Sequence, residues 1–189
     1  NRSTENIAFV SQLGDLSEHG DTYIVEWQRA DTALKVFETA IPEIPYGIGI
    51  GNHDQTGGTT YYNQFFGTTR FSGRAYYGGN FGSNNNNYFE LFNAGGLDFV
   101  LVNLEMDASA ASMHWASGIL KAHSTRRAIV VNHGLLANTG NPANFSTSGH
   151  AIYDSLKTNP NLFLMLCGHV DGEGQRQDTF DGHTVYTLL

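Results

Sequence analysis

Cysteine, lysine and proline are all scarce in this chain. One cysteine, three lysines and four prolines occur in 189 residues, and charged side chains make up only 15%. A single Cys167 rules out an intramolecular disulfide framework. Within the run LFLMLC it reads as a small buried hydrophobe. The ten basic residues are outnumbered by eighteen acidic ones, giving a net charge of −8 and a pI near 5.3. No basic stripe exists, which excludes a nucleic-acid backbone as partner. No apolar run approaches the ~18 residues of a membrane-spanning helix. Glycine, asparagine, threonine and tyrosine are plentiful instead, a mixture typical of secreted or periplasmic proteins of bacterial type. The sequence opens on Asn1 rather than methionine and closes within the strand-like HTVYTLL. The expectation is one domain over residues 1–189, incomplete at both ends.

Strand and helix patterns alternate along the chain, which predicts an α/β architecture with a largely buried sheet. Strands are expected at 7–13, 45–50, 88–93, 97–103, 128–132, 162–167 and 183–189. Ile24, Trp27, Ala30, Leu34 and Phe37 fall at helical spacing within 22–40, and further helices are expected at 110–123 and 148–158. Residues 56–87 form a long polar, aromatic and glycine-rich insertion. It reads either as a segment overhanging a pocket or as a surface loop with its own aromatic cluster. The run Asn84–Asn87 reads as an exposed turn.

Chemistry concentrates in four short stretches: Gly14-Asp15, Gly51-Asn52-His53-Asp54, Asn132-His133 and Gly168-His169-Val170-Asp171. Each follows an apolar, strand-like run: IAFVSQL, IPYGIGI, AIVV and LFLMLC. Loops at four strand ends can bring a carboxylate, an amide oxygen and two imidazoles to one point. That donor set suits Mn, Fe or Zn. Alone, Asp15 reads as a turn residue and each histidine as a hydrogen-bonded structural group, and it is two histidines at strand ends, each inside its motif, that reverse the reading. Other motifs fail. Gly47-Ile48-Gly49-Ile50-Gly51-Asn52 lacks the last glycine of a dinucleotide loop, and neither a nucleophile elbow nor a phosphate-loop lysine is present.

The order Gly-Asp, Gly-Asn-His-Asp, His, Gly-His resembles the calcineurin-like metallophosphoesterases, from about Ile7 to Leu189. The resemblance implies a four-layer α/β/β/α sandwich. It also implies hydrolysis of a phosphate mono- or diester by a metal-activated water. Metal would be held by Asp15, Asn52, His133 and His169, with Asp15 bridging a second ion. His53 would serve as proton donor or cation toward the leaving group, oriented by Glu18. His19 stands where those phosphatases carry a phosphate-binding arginine, which makes it a substrate-contact candidate.

Two features depart from that family. Its opening Asp-x-His strand is absent, and the second histidine of its last motif is Asp171. Both fall on one of its two metal positions, where Asp171 can replace an imidazole with an oxygen or simply belong to a turn. At most one transition metal per chain is therefore expected. Strand 7–13 would also be left with an apolar edge for a second copy or a terminal segment to cover. The competing functional class is a non-catalytic metal- or phosphate-binding domain, or an inactive fragment. Arg70, Arg74 and Arg176 are candidate phosphate contacts by charge alone.

Overall fold

The computed structural model describes residues 5–189. Two sheets face each other, each backed by helices, so the layers run helix, sheet, sheet, helix. The small sheet pairs β1 (Val10–Gln12) in parallel with β2 (Tyr46–Ile48), and α1 (Ile24–Glu38) crosses between them. The insertion follows as α2 (Thr60–Phe66), α3 (Thr68–Phe71) and β3 (Tyr77–Asn80). The remaining elements are β4 (Tyr88–Ala94), β5 (Leu97–Asn103), α4 (Ala110–Ala122), β6 (Arg127–Val131), α5 (Thr147–Leu156), β7 (Leu162–Leu166), β8 (Gln175–Phe180) and β9 (His183–Leu188). They build a seven-stranded sheet in the order β3-β4-β5-β6-β7-β9-β8. Its centre, β5-β6-β7-β9, is parallel, with α4 and α5 as the crossovers that join β5, β6 and β7. Both crossover helices start on a serine cap: Ser109 accepts from the Ser112 amide and Ser146 from the Gly149 amide.

Strand alternation divides the apolar residues among three cores. Val100 and Val102 of β5 point to the helical side, where they join Leu120, Val130, Ile152, Leu156, Leu162 and Met165 in an aliphatic core. Leu101, Ile129 and Val131 point the other way and meet Phe9 and Leu13 from the small sheet. Beyond the small sheet lies a third core, built of Trp27, Tyr46, Ile48, Tyr62, Phe66, Phe71 and Tyr76. Most of its bulk is aromatic. Cys167 is buried among the aliphatic side chains.

Two expectations are corrected here. Residues 56–87 are no surface loop: they fold into α2, α3 and β3, and most of their aromatic rings pack on the outer face of the small sheet. The asparagine run is not an exposed turn either, because Asn85, Asn86 and Asn87 are buried. Their carboxamides are spent on structure. Asn85 Nδ2 donates to the Phe66 carbonyl at 2.9 Å, while Asn86 and Asn87 donate to the two carboxylate oxygens of Glu105 at 2.9 and 2.7 Å. The β8 strand also lay outside the expected elements. Its exposure alternates with its mostly polar sequence QRQDTF, so it carries no apolar signal.

Candidate metal centre

All four motifs lie at the carboxyl ends of β1, β2, β6 and β7. Ligand atoms of Asp15, His133 and His169 lie within 4.8 Å of one another. The His133 and His169 rings stand 5.2 Å apart, edge to face. Asp15 Oδ2 is 2.9 Å from His133 Nε2, yet that nitrogen has no aligned hydrogen-bond partner. The two atoms are thus held close together without hydrogen-bond alignment. Asn52 adds a buried side-chain oxygen that is also without a partner.

The backbone is bent to make this cluster. Asp15 and His169 adopt φ of 56° and 76°, the left-handed region that bulky residues avoid. A conformation of this kind persists where the surroundings over-determine it. Two glycines make room. A Cβ on Gly51 would sit 2.1 Å from Asp15 Oδ1, and one on Gly14 (φ 111°) would sit 2.4 Å from His133 Nδ1.

Hydrogen bonds from behind hold the cluster's loops in place. His133 is 3% exposed, and its Nδ1–H donates to the Leu13 carbonyl at 2.8 Å, which turns the Nε2 lone pair toward Asp15. Asn132 fixes the same turn: its Nδ2 donates to the Glu105 carbonyl at 2.7 Å and its Oδ1 accepts from the Gly134 amide at 3.1 Å. On the oxygen side, fully buried Asp54 accepts from the Ser17 amide at 2.8 Å and the Gly51 amide at 2.9 Å. It thereby joins the loop after Asp15 to the one before Asn52. Burial pushes the Asp54 carboxyl above the usual range, while its bonds to backbone amides oppose the shift.

His53 sits at the rim of the cluster. Its amide donates to Asp15 Oδ1 at 3.0 Å, and its ring Nδ1 lies 3.1 Å from the Glu18 carbonyl and 3.3 Å from the Glu18 carboxylate. The bond to the Glu18 carbonyl raises the imidazole pKa, and the Asp15 charge adds to it. The His19 Nδ1 lies 2.7 Å from Glu26 Oε1. Asp171 is exposed and is not part of the three-residue cluster.

The three arginines are engaged elsewhere. Arg70 pairs with Asp31 and Glu38, Arg74 with Glu38 and Glu43, and Arg176 with Asp178. Sequence reasoning missed Glu26, Asp21 and Glu105, and gave Asp54 no role. Glu26 lies on a helical turn like any solvent-facing acid, and Asp21 reaches the Thr60 and Tyr61 amides, about 40 positions away, to cap α2. Asp54 alone carried a signal, its place within the Gly-Asn-His-Asp motif.

No protein-family model matches this sequence. A relative in Bacillus subtilis, the uncharacterized protein YvnB, is 30% identical over 185 residues; the match takes in 96% of this chain but only 14% of that protein. In three dimensions the chain is similar to a dimetal phosphatase from Danio rerio, with a TM-score of 0.62 at 17% identity, covering 98% of this chain and 73% of the other. That likeness establishes the shared α/β fold.

Proposed function

We propose that this chain is the metallophosphoesterase domain of a calcineurin-like enzyme, hydrolysing phosphate mono- or diesters with a divalent transition metal. The carrying observation is the pairing of Asp15 Oδ2 with His133 Nε2 at 2.9 Å without hydrogen-bond alignment, beside His169. One carboxylate oxygen, one amide oxygen and two imidazoles fit Mn, Fe or Zn. The fold shared with a protein described as a dimetal phosphatase supports the same reading.

Asp15, Asn52, His133 and His169 would hold one cation. When bound, such an ion polarises a phosphoryl oxygen and acidifies water. In the hydrolysis, water oxygen joins phosphorus, the ester P–O bond breaks and the leaving oxygen needs a proton. His53 stands next to the cluster with Nδ1–H on the Glu18 carbonyl, so in the doubly protonated ring it is the Nε2–H that would donate that proton or offset charge on the departing oxygen. Glu18 keeps the imidazole oriented. His19, one residue further, is the proposed substrate contact, and Asp171 the proposed oxygen donor to a weaker second ion. No second group of three ligands stands beside Asp15 among the described residues, so one tightly held metal per chain is the proposed stoichiometry.

The test is reconstitution with excess Mn or Zn, followed by metal analysis and an assay with a chromogenic phosphodiester. One tightly held equivalent and metal-dependent hydrolysis support the proposal. One equivalent without hydrolysis would move the chain to the non-catalytic metal-binding class. No retained metal would overturn the proposal.

A further inference from the structure

Helix α1 sends one carboxylate away from solvent and into the loop that follows Asp15. Glu26 Oε2 accepts from the Ser17 hydroxyl at 2.7 Å, the Glu18 amide at 2.9 Å and the His19 amide at 3.0 Å. Its Oε1 meets His19 Nδ1 at 2.7 Å. Four contacts from one side chain therefore close on three consecutive residues. Such a nest of neighbouring donors is the kind of site that binds anions, and here the anion is internal. The Ser17 hydroxyl and the His19 ring hold the Glu26 carboxyl down to about 2, so it is ionised at any ordinary pH.

The middle residue of the nest is Glu18, whose carbonyl and carboxylate both face His53 Nδ1. We propose that Glu26 is a positioning residue for His53: by fixing the amides of Glu18 and His19, it sets the Glu18 carbonyl that selects the tautomer and direction of the His53 ring. The claim rests on His53 being the group that meets the leaving oxygen. It also separates two functions of one loop. Asp54 grips the Ser17 amide on the side of the metal ligands, whereas Glu26 grips the side that faces the proton donor.

Glutamine is the conservative control. Its amide oxygen can take the three donors that Oε2 takes, and its Nε2–H can donate to a neutral His19 Nδ1. Alanine removes all four contacts. A misplacement of about 1 Å in a catalytic group can cost on the order of 10²-fold. Glu26→Ala should therefore lower kcat by roughly 10- to 100-fold, with the metal dissociation constant and far-ultraviolet circular dichroism retained, and Glu26→Gln should restore most of the rate.

The decisive readout needs no activity. Two-bond 1H–15N spectra of the histidine rings, with His53 assigned by its loss in His53→Ala, should show an Nδ1-protonated ring in the wild type and in Glu26→Gln. In Glu26→Ala that signature should be lost. The proposal is overturned if Glu26→Ala keeps the wild-type tautomer, or if it loses metal to the extent that Asp15→Ala does. If wild-type protein hydrolyses no phosphoester, the functional reading falls, while the tautomer comparison still decides whether Glu26 positions His53.

Discussion

The two sheets position their candidate ligands by different means. His133 and His169 leave β6 and β7, adjacent parallel strands in the middle of the seven-stranded sheet, backed by an aliphatic core. Asp15 and Asn52 leave β1 and β2, strands of three residues each in a sheet of two. An isolated pair that short is marginal at best. What fixes it is an aromatic layer on its outer face and a set of buried or half-buried carboxylates reaching into its loops: Asp54, Glu26 and Asp21. The nitrogen half of the site is positioned by strands, the oxygen half by side chains.

The most severe break should come from chemistry rather than scaffold. His53→Ala removes the proposed proton donor but no proposed ligand, so turnover should fall by roughly 10²–10⁴-fold while metal content is unchanged. His169→Ala should lose metal first. Equal metal loss in both would mean that His53 belongs to the ligand set.

A pair of core truncations separates the two halves. Phe66 lies fully buried in the aromatic layer and Leu120 in the aliphatic core. Phe66→Ala should cost about 3–5 kcal/mol and Leu120→Ala about 2–5 kcal/mol, both read from urea midpoints. Metal affinity should distinguish them, falling with Phe66→Ala because Asp15 and Asn52 depend on that layer, and holding with Leu120→Ala. Equal affinities in the two folded variants would erase the distinction drawn between the sheets.

The smallest effect concerns a buried acid between the sheets. Glu90 is fully buried, accepts from Asn103 Nδ2 at 3.0 Å, and is pushed by burial well above the usual carboxyl range. The folded state therefore keeps its proton where the unfolded chain, with an ordinary value of about 4.3, has released it. Stability from this group is complete below the unfolded value and declines as pH rises from there toward the raised folded value. Glu90→Gln, which carries no titrating proton, should flatten the fall of the urea midpoint between about pH 5 and 8. Parallel slopes for the two proteins would show that Glu90 is ionised in the fold.

How much was legible follows from the same contrast. Strands of the large sheet announce themselves as apolar runs that stop at Asn132 and Gly168, so β5, β6 and β7 and their terminal histidines lie close to where periodicity put them. The aromatic insertion was visible in composition, but its packing was not. Tyr62, Phe66 and Phe71 alternate with Asn63, Gln64 and glycines in no single period, and their burial depends on Trp27 and Tyr46, far away in sequence. The Arg70 pair with Asp31 and the Asp21 cap on α2 join residues about 40 positions apart through side chains alone. Local patterns hold no record of such contacts. The candidate ligands stood out because each follows a strand, and the groups that brace the oxygen half did not because they lack that mark.

The central claim is that oxygen and nitrogen donors from the two sheets converge on one cation. X-ray absorption fine structure at the metal edge of the Mn- or Zn-loaded protein tests it most directly. A single class of ion bound by two imidazoles and otherwise by oxygen, losing one imidazole in His169→Ala, is expected. A first shell of oxygen alone, or one left unchanged by His169→Ala, would contradict it.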